Sequence, residues 1–229
     1  LIKDLAAYSN AIFISDVVEE YYRGKYGFKN STIIYNQIKI DKNFSYDKQL
    51  FKNDIIHIIM SGTLQENKGQ KEAISAVLKL LNKGIAVTFD IYGNGPQKEE
   101  LNSIIQSSGY SNFISLKGYC DNLETIRKNY DIALICSSNE ALGRVTIESM
   151  GSGCITIGAD AGFTSEILRN NNNGFLYRLH DVDDLANKIL YTYENSTRMK
   201  KIRITARHYA EEKFSSPIYL KIRNYINNV

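Results

Sequence analysis

No stretch of this 229-residue chain approaches the roughly 20 consecutive apolar residues that span a bilayer, so nothing in it reads as a transmembrane helix. An excess of one charge is missing too. With 28 basic and 25 acidic residues the formal net charge is +3, which demands no nucleic-acid partner and leaves room for weak attraction to a membrane surface. Cysteine is scarce: Cys120, Cys136 and Cys154 are odd in number, fall at or near expected strands and lack metal-like spacing. They read as reduced, small core residues of a cytosolic protein. His57, His180 and His208 are scattered, whereas a metal site needs ligands at recognisable spacing, and no aspartate cluster offers oxygen ligands instead. What remains is an ordinary globular composition, 43% hydrophobic and 23% charged, long enough for one sizeable core or for one domain plus a fragment of another.

From residue 54 onward, short apolar runs alternate with helical periodicity. Residues 55–59, 86–92, 113–116, 131–136 and 154–158 are predicted strands, and residues 70–82, 97–107 and 123–129 predicted helices. The 70–82 helix is the clearest, because Ala73, Ile74, Val77, Leu78 and Leu81 recur on one face. Alternation of this kind predicts an α/β, Rossmann-like doubly wound parallel sheet with helices on both faces. Ligands of such sheets bind beyond the carboxyl ends of the strands, and the loops after Met60, Tyr92, Leu116, Cys136 and Gly158 all fall on that edge. Further on, Asn170 to Asn173 read as a polar surface turn before Gly174, and Asp181 as the N-cap of a helix ending near Tyr193. Two more helices are expected, over 197–213 and after Pro217. The first fifty residues differ: 1–10 read as the tail of a helix, 11–15 and 31–35 as strands, and 16–26 as a helix.

Chemistry concentrates in Glu140-Ala141-Leu142-Gly143-Arg144-Val145-Thr146-Ile147-Glu148, where two carboxylates eight residues apart bracket a glycine and an arginine. The segment follows an expected buried strand and opens an expected helix, so Glu140 belongs to the loop and Glu148 to the helix. At a rise of about 1.5 Å per residue the pair spans on the order of 10 Å, enough for a diphosphate between them. The free N–H groups of Gly143, Arg144 and Val145 would face it, aided by the helix dipole. Glu148 is placed to accept hydrogen bonds from a ribose diol, and Glu140 to meet sugar hydroxyls. The plainer alternative makes both glutamates cap or dipole partners of a helix start. On the same edge, the loop Ser61 to Gly69 offers glycines for close backbone approach and Lys68 as a point charge for a phosphate. It is neither a Walker loop nor the three-glycine dinucleotide fingerprint. Gly93-Asn94-Gly95-Pro96 is turn chemistry, and Tyr119 either flanks a base or packs.

In this order the pieces resemble the retaining glycosyltransferases of family 4, which have the two-domain GT-B fold, over residues 50–195. The motifs are G-x-L-x-x-x-K-G at Gly62 to Gly69, I-Y-G-N-G-P at Ile91 to Pro96, G-Y-C-D-N at Gly118 to Asn122, Glu140 to Met150, and Gly162 to Glu166 with Asn173-Gly174. The resemblance implies transfer of a sugar from a UDP- or GDP-sugar to a saccharide or lipid-linked acceptor, with retention at the anomeric carbon by front-face attack. It implies no metal, no other cofactor and no nucleic acid. Lys68 would bind the diphosphate and Glu140 would sit near the reacting carbon, as the catalytic residues. Backbone contacts would come from Leu142, Gly143, Arg144 and Val145, and Glu148 would bind ribose, with Gly62, Thr63 and Tyr119 completing the donor site. Family members usually carry an arginine where this chain has Thr63. One positive charge on the leaving diphosphate is therefore missing, and Arg144 is a candidate substitute or else lies on the helix surface.

The same resemblance divides the chain into a remnant of an N-terminal GT-B domain with its linker (1–50), a C-terminal nucleotide-sugar-binding domain (51–215) and a terminal helix (216–229). On that division the acceptor half of the site lies in a missing domain, as does any peripheral contact with the inner face of a membrane. The chain alone is expected to bind donor weakly and to transfer little sugar. Two further readings stay open: a non-catalytic nucleotide-sugar-binding module, to which Thr63 points, and a nucleotide-sugar epimerase of the same fold.

Overall fold

The computed structural model describes residues 10–40 and 44–227. The helix tail expected over residues 1–9 lies outside them. The described chain opens with β1 (Asn10–Phe13), α1 (Asp16–Tyr26) and β2 (Asn30–Ile33), a parallel strand pair in register from Asn10 opposite Asn30 to Phe13 opposite Ile33. Local chemistry sets the bounds of α1. The Ser15 hydroxyl accepts from Val18 N at its start, Asp16 and Glu19 occupy its first turn, and Gly27 at φ 76° closes it with an N–H to Arg23 O.

The main sheet follows the expected alternation: β3 (Ile56–Ser61), α2 (Gln70–Asn82), β4 (Val87–Tyr92), α3 (Lys98–Ser107), β5 (Ile114–Gly118), α4 (Leu123–Arg127) and β6 (Ile132–Ile135). It continues through α5 (Arg144–Gly151), β7 (Ile155–Ala159), α6 (Gly162–Ile167), β8 (Phe175–Tyr177), α7 (Val182–Glu194), α8 (Ser196–Phe214) and α9 (Ile218–Ile226). Six strands lie in the order β5-β4-β3-β6-β7-β8, all parallel. The order reverses between β3 and β6, which makes the sheet doubly wound and opens a crevice beyond the ends of those two strands.

Burial explains the strand composition. Every residue of β6 and β7 is buried, so β6 reads as an unbroken apolar run and β7 is interrupted only by the buried Thr156, as suits strands covered on two faces. Of the α2 stripe expected from periodicity, Ala73, Ile74 and Val77 are fully covered and Leu81 is buried, while Leu78 is half-buried; the helix packs against α7. A second core joins Leu142, Ile147 and Met150 to Phe163, Ile167, Ala206 and Phe214, locking α5, α6 and α8 together.

The small β1-α1-β2 unit is tied to this body by polar contacts. Ser15 Oγ donates to Ala141 O at 2.5 Å, while the Glu166 carboxylate accepts from Asp16 N at 3.0 Å, Val17 N at 3.4 Å and Tyr35 Oη at 2.8 Å. Burial pushes the Glu166 carboxyl above its ordinary value even though three donors favour its ionised form.

Three sequence expectations need correction. Asn170 to Asn173 do not form a purely surface turn, because Asn173 is buried: its Oδ1 accepts from Arg169 N at 2.7 Å and its Nδ2 donates to Ile167 O at 2.9 Å. Its side chain does a backbone's work where α6 gives way to β8. Both of those elements lie where no strand or helix was expected, one six residues long and the other three, too short for a periodicity to show. Cys120 is only half-buried, since it lies in the loop beyond β5, whereas Cys136 and Cys154 are free thiols in the core as expected.

The central strand offers a direct check of this packing. Ile58 is fully buried between Phe89 of β4 and Ile132 of β6. Ile58→Ala is expected to cost about 2–5 kcal/mol in urea denaturation. A loss under about 1 kcal/mol would mean that this core closes up around missing atoms.

Candidate functional site

The loops leaving β3 and β6 meet at the strand-order reversal, and glycines permit the meeting. A Cβ on Gly69, at φ 71°, would stand 2.4 Å from Cys136 O; one on Gly93, at φ 143°, would stand 1.8 Å from Gly62 O. Both obstacles are backbone and cannot swing aside. Polar bonds then join the loops: Asn67 O accepts from Ser138 N at 3.0 Å and from Ser137 Oγ at 3.2 Å. Lys68, next in the chain, is thereby brought to Glu140, and its Nζ donates to Glu140 Oε1 at 2.5 Å. Each side chain of this pair keeps about a fifth of its surface open, 23% for Lys68 and 21% for Glu140.

Beside the pair α5 begins. Gly143 adopts a left-handed conformation at φ 53°, and a Cβ there would press within 2.9 Å of the Phe163 ring. Thr146 N and Ile147 N donate to Gly143 O, so the preceding N–H groups of Arg144 and Val145 have no intrahelical acceptor. They carry the positive end of the helix dipole. A cavity of about 400 Å³ lies in front of them, lined by Gly62, Lys68, Glu140, Leu142, Gly143, Arg144 and Val145. Seven of the expected site residues thus share one space, together with Ile14 and Asn36 from the N-terminal segment.

The remaining expected residues occupy neighbouring cavities. Glu148 lies in one of about 300 Å³ that meets the first at Arg144. Its Oε2 is 2.9 Å from Arg127 Nη2 and its Oε1 is 3.5 Å from Arg144 Nη2. Arg144 is 70% exposed, so its side chain lies along the helix surface toward Glu148. Thr63 and Tyr119 line a third cavity of about 280 Å³, which touches the first at Gly62 and the second at Cys120 and Leu123. Tyr119 stands 73% exposed at its rim. Asp121 accepts from its phenol and pushes it above its ordinary value.

Sequence reasoning missed Arg127. It reads as one more basic residue on a short helix, and only its burial, 2% exposed against Glu148, marks it out. Ser137 was missed as well, though it lies directly after a recognised strand end. Thiol chemistry is not on offer in the main cavity, because burial pushes Cys136 up to about 12. Among the described residues no group of three or more His, Cys, Asp or Glu side chains gathers as metal ligands do.

Comparison with known proteins gives the site a context. The family model of the glycosyl transferases group 1 matches residues 41–209. The chain is 33% identical over 131 residues to the UDP-N-acetylglucosamine--peptide N-acetylglucosaminyltransferase GtfA subunit of Streptococcus agalactiae, covering 56% of this chain and 26% of that protein. It is 28% identical over 143 residues to a poly(ribitol-phosphate) alpha-N-acetylglucosaminyltransferase of Staphylococcus aureus (strain COL), covering 62% of this chain and 29% of that one. The chain therefore spans little more than a quarter of these relatives. The pneumococcal O-GlcNAc transferase GtfA, solved with UDP and GlcNAc, superposes with a TM-score of 0.80 at 22% identity, over 99% of this chain and 46% of that one. That likeness shows the shared fold.

The tight glycine contact at the cleft has a built-in control. Gly109 also has a left-handed backbone, at φ 78°, but open space around it. Gly109→Ala is expected to lose about 1–2 kcal/mol from strain alone. Gly69→Ala, at the nearly equal φ of 71°, should lose at least about 1–3 kcal/mol more, from collision with Cys136. Equal losses in thermal denaturation would show that the two loops yield.

Proposed function

Because the chain belongs to the glycosyl transferases group 1 family, we propose that it carries the donor half of an enzyme that moves a sugar from a nucleoside diphosphate to a saccharide or lipid-linked acceptor. The observation that carries this reading is the Lys68–Glu140 contact of 2.5 Å in front of the open N-terminus of α5. A cation, unpaired N–H groups and a carboxylate converge on one cavity. That is the equipment needed to hold a diphosphate and a sugar side by side.

Lys68 and Glu140 neutralise each other across the cleft. An arriving diphosphate takes over the ammonium group, and the Glu140 carboxylate is released to accept from sugar hydroxyls beside the reacting carbon. As the glycosidic bond breaks, negative charge builds on the leaving diphosphate. Lys68 and the N–H groups of Arg144 and Val145 stabilise it there without reorganising. These groups supply the positive charge that a metal ion would otherwise bring, so the proposal needs no metal. The leaving phosphate takes the acceptor's proton on the same face, which retains the anomeric configuration. Glu148 holds the ribose end of the donor. The acceptor approaches from the side of Ile14 and Asn36, which line the same cavity.

The names of the GtfA relatives make UDP-N-acetylglucosamine the first donor to try. Among the described residues no helix is long and apolar enough to cross a membrane. A cytoplasmic place, peripheral to the inner face of the membrane, belongs to the same proposal.

Calorimetric titration with UDP, GDP and ADP tests the reading. UDP is expected to bind, and Lys68→Ala to weaken it about 10- to 100-fold, the worth of one charge-assisted hydrogen bond. A chain that binds none of the three nucleotides would end the proposal. Product analysis then separates sugar transfer from an epimerised donor and from binding without turnover.

A further inference from the structure

We propose that Arg127 is the positioning residue of the ribose end of this site, holding the Glu148 carboxylate in place for a vicinal diol. The inference rests on the donor reading above. Arg127 closes the five-residue helix α4, and its side chain is 2% exposed. Its Nη2 stands 2.9 Å from Glu148 Oε2 and also donates to Ser61 Oγ at 3.2 Å. Ser61 ends β3 and Glu148 lies in the second turn of α5, so one guanidinium bridges the two elements that flank the crevice.

Stability does not account for this arrangement. Burying the guanidinium costs several kcal/mol, and an ion pair with a buried member is often replaceable by apolar side chains at no loss. The guanidinium is also incompletely used, because Arg127 Nε is buried with no hydrogen-bond partner.

The geometry gives the pair a different value. A carboxylate offers about four lone-pair directions. Arg127 occupies one side of Glu148 and Arg144 approaches the other from 3.5 Å, while 22% of the Glu148 side chain stays open to the cavity. The carboxylate is thus held from one side by Arg127, with acceptor capacity left open to the cavity. Freed from Arg127, Glu148 would turn on its flexible stem and meet a diol in many poses, losing most of the preference for it.

Nucleotide binding by the 229-residue chain separates this role from a structural one, with UDP and 2′,3′-dideoxy-UDP as probes. The unaltered chain should prefer UDP by about tenfold or more. In Arg127→Met the preference should fall below about threefold, while 2′,3′-dideoxy-UDP binds within about twofold of its original strength. An unaltered preference in Arg127→Met overturns the inference alone, and so does an equal loss for both nucleotides. Failure of the unaltered chain to bind UDP removes the donor reading and this inference with it. If Arg127→Met does not fold, Arg127→Lys, which keeps the charge without the planar fork, carries the same comparison under the same criteria.

Discussion

Everything at the site depends on two loops of a parallel sheet passing within backbone contact at the place where the strand order reverses. There the chain leaves β3 in one direction and β6 in the other, and a crevice would separate them if nothing closed its floor. Asn67 O closes it by accepting from Ser138 N and Ser137 Oγ, and Gly69 lets its backbone lie against Cys136 without a side chain between. Lys68 and Glu140, far apart in sequence, are neighbours only through this seam. A single Cβ at Gly69 would force the loops apart and the ion pair with them.

The helix that begins at the seam is finished differently at its two ends. At the start of α5, backbone N–H groups are left open toward the cavity. At its far end buried arginines deal with the carbonyls: Arg207 donates to Gly151 O, and Arg203 Nε to Gly153 O at 3.1 Å. Both guanidiniums lie over the Phe44 ring, 4.8 Å away for Arg203 and 5.1 Å for Arg207. Cations at the carboxyl end of a helix favour its negative pole. The helix is therefore secured from behind by α8 and by the segment carrying Phe44, and its unmatched end points only at the cleft.

Much of this was legible in the sequence because it is local. The helix over 16–26 stands where it was expected, although Ser15, read as a strand end, is its cap; the stripe of α2 has the helical period, and Asp181 caps α7 by accepting from Asp184 N at 2.8 Å. The motif residues Gly62, Lys68, Glu140 and Gly143 were legible for another reason, since each belongs to a loop that leaves a strand end of a parallel sheet, and the topology gathers such loops. What stayed hidden depends on burial across long separations. Arg127 looks like a surface cation until α4 is laid against β3 and α5. Asn173 looks like a turn residue until its amide replaces backbone pairing beneath β8. The glutamate pair looked like two ends of one pocket, yet Glu148 faces a separate cavity joined to the first at Arg144.

The contact between Ser15 and Ala141 has a mechanical consequence. Ser15 caps α1 with the same hydroxyl that grips the carbonyl one residue beyond Glu140, and Glu166 fastens the adjoining turn through Asp16, Val17 and Tyr35. Most of these attachments gather at the start of α1, and a body held at one end turns most easily about that end. The β1-α1-β2 unit is thus a lever whose fulcrum adjoins the loop of Glu140, so any swing of that unit has its least amplitude at that loop.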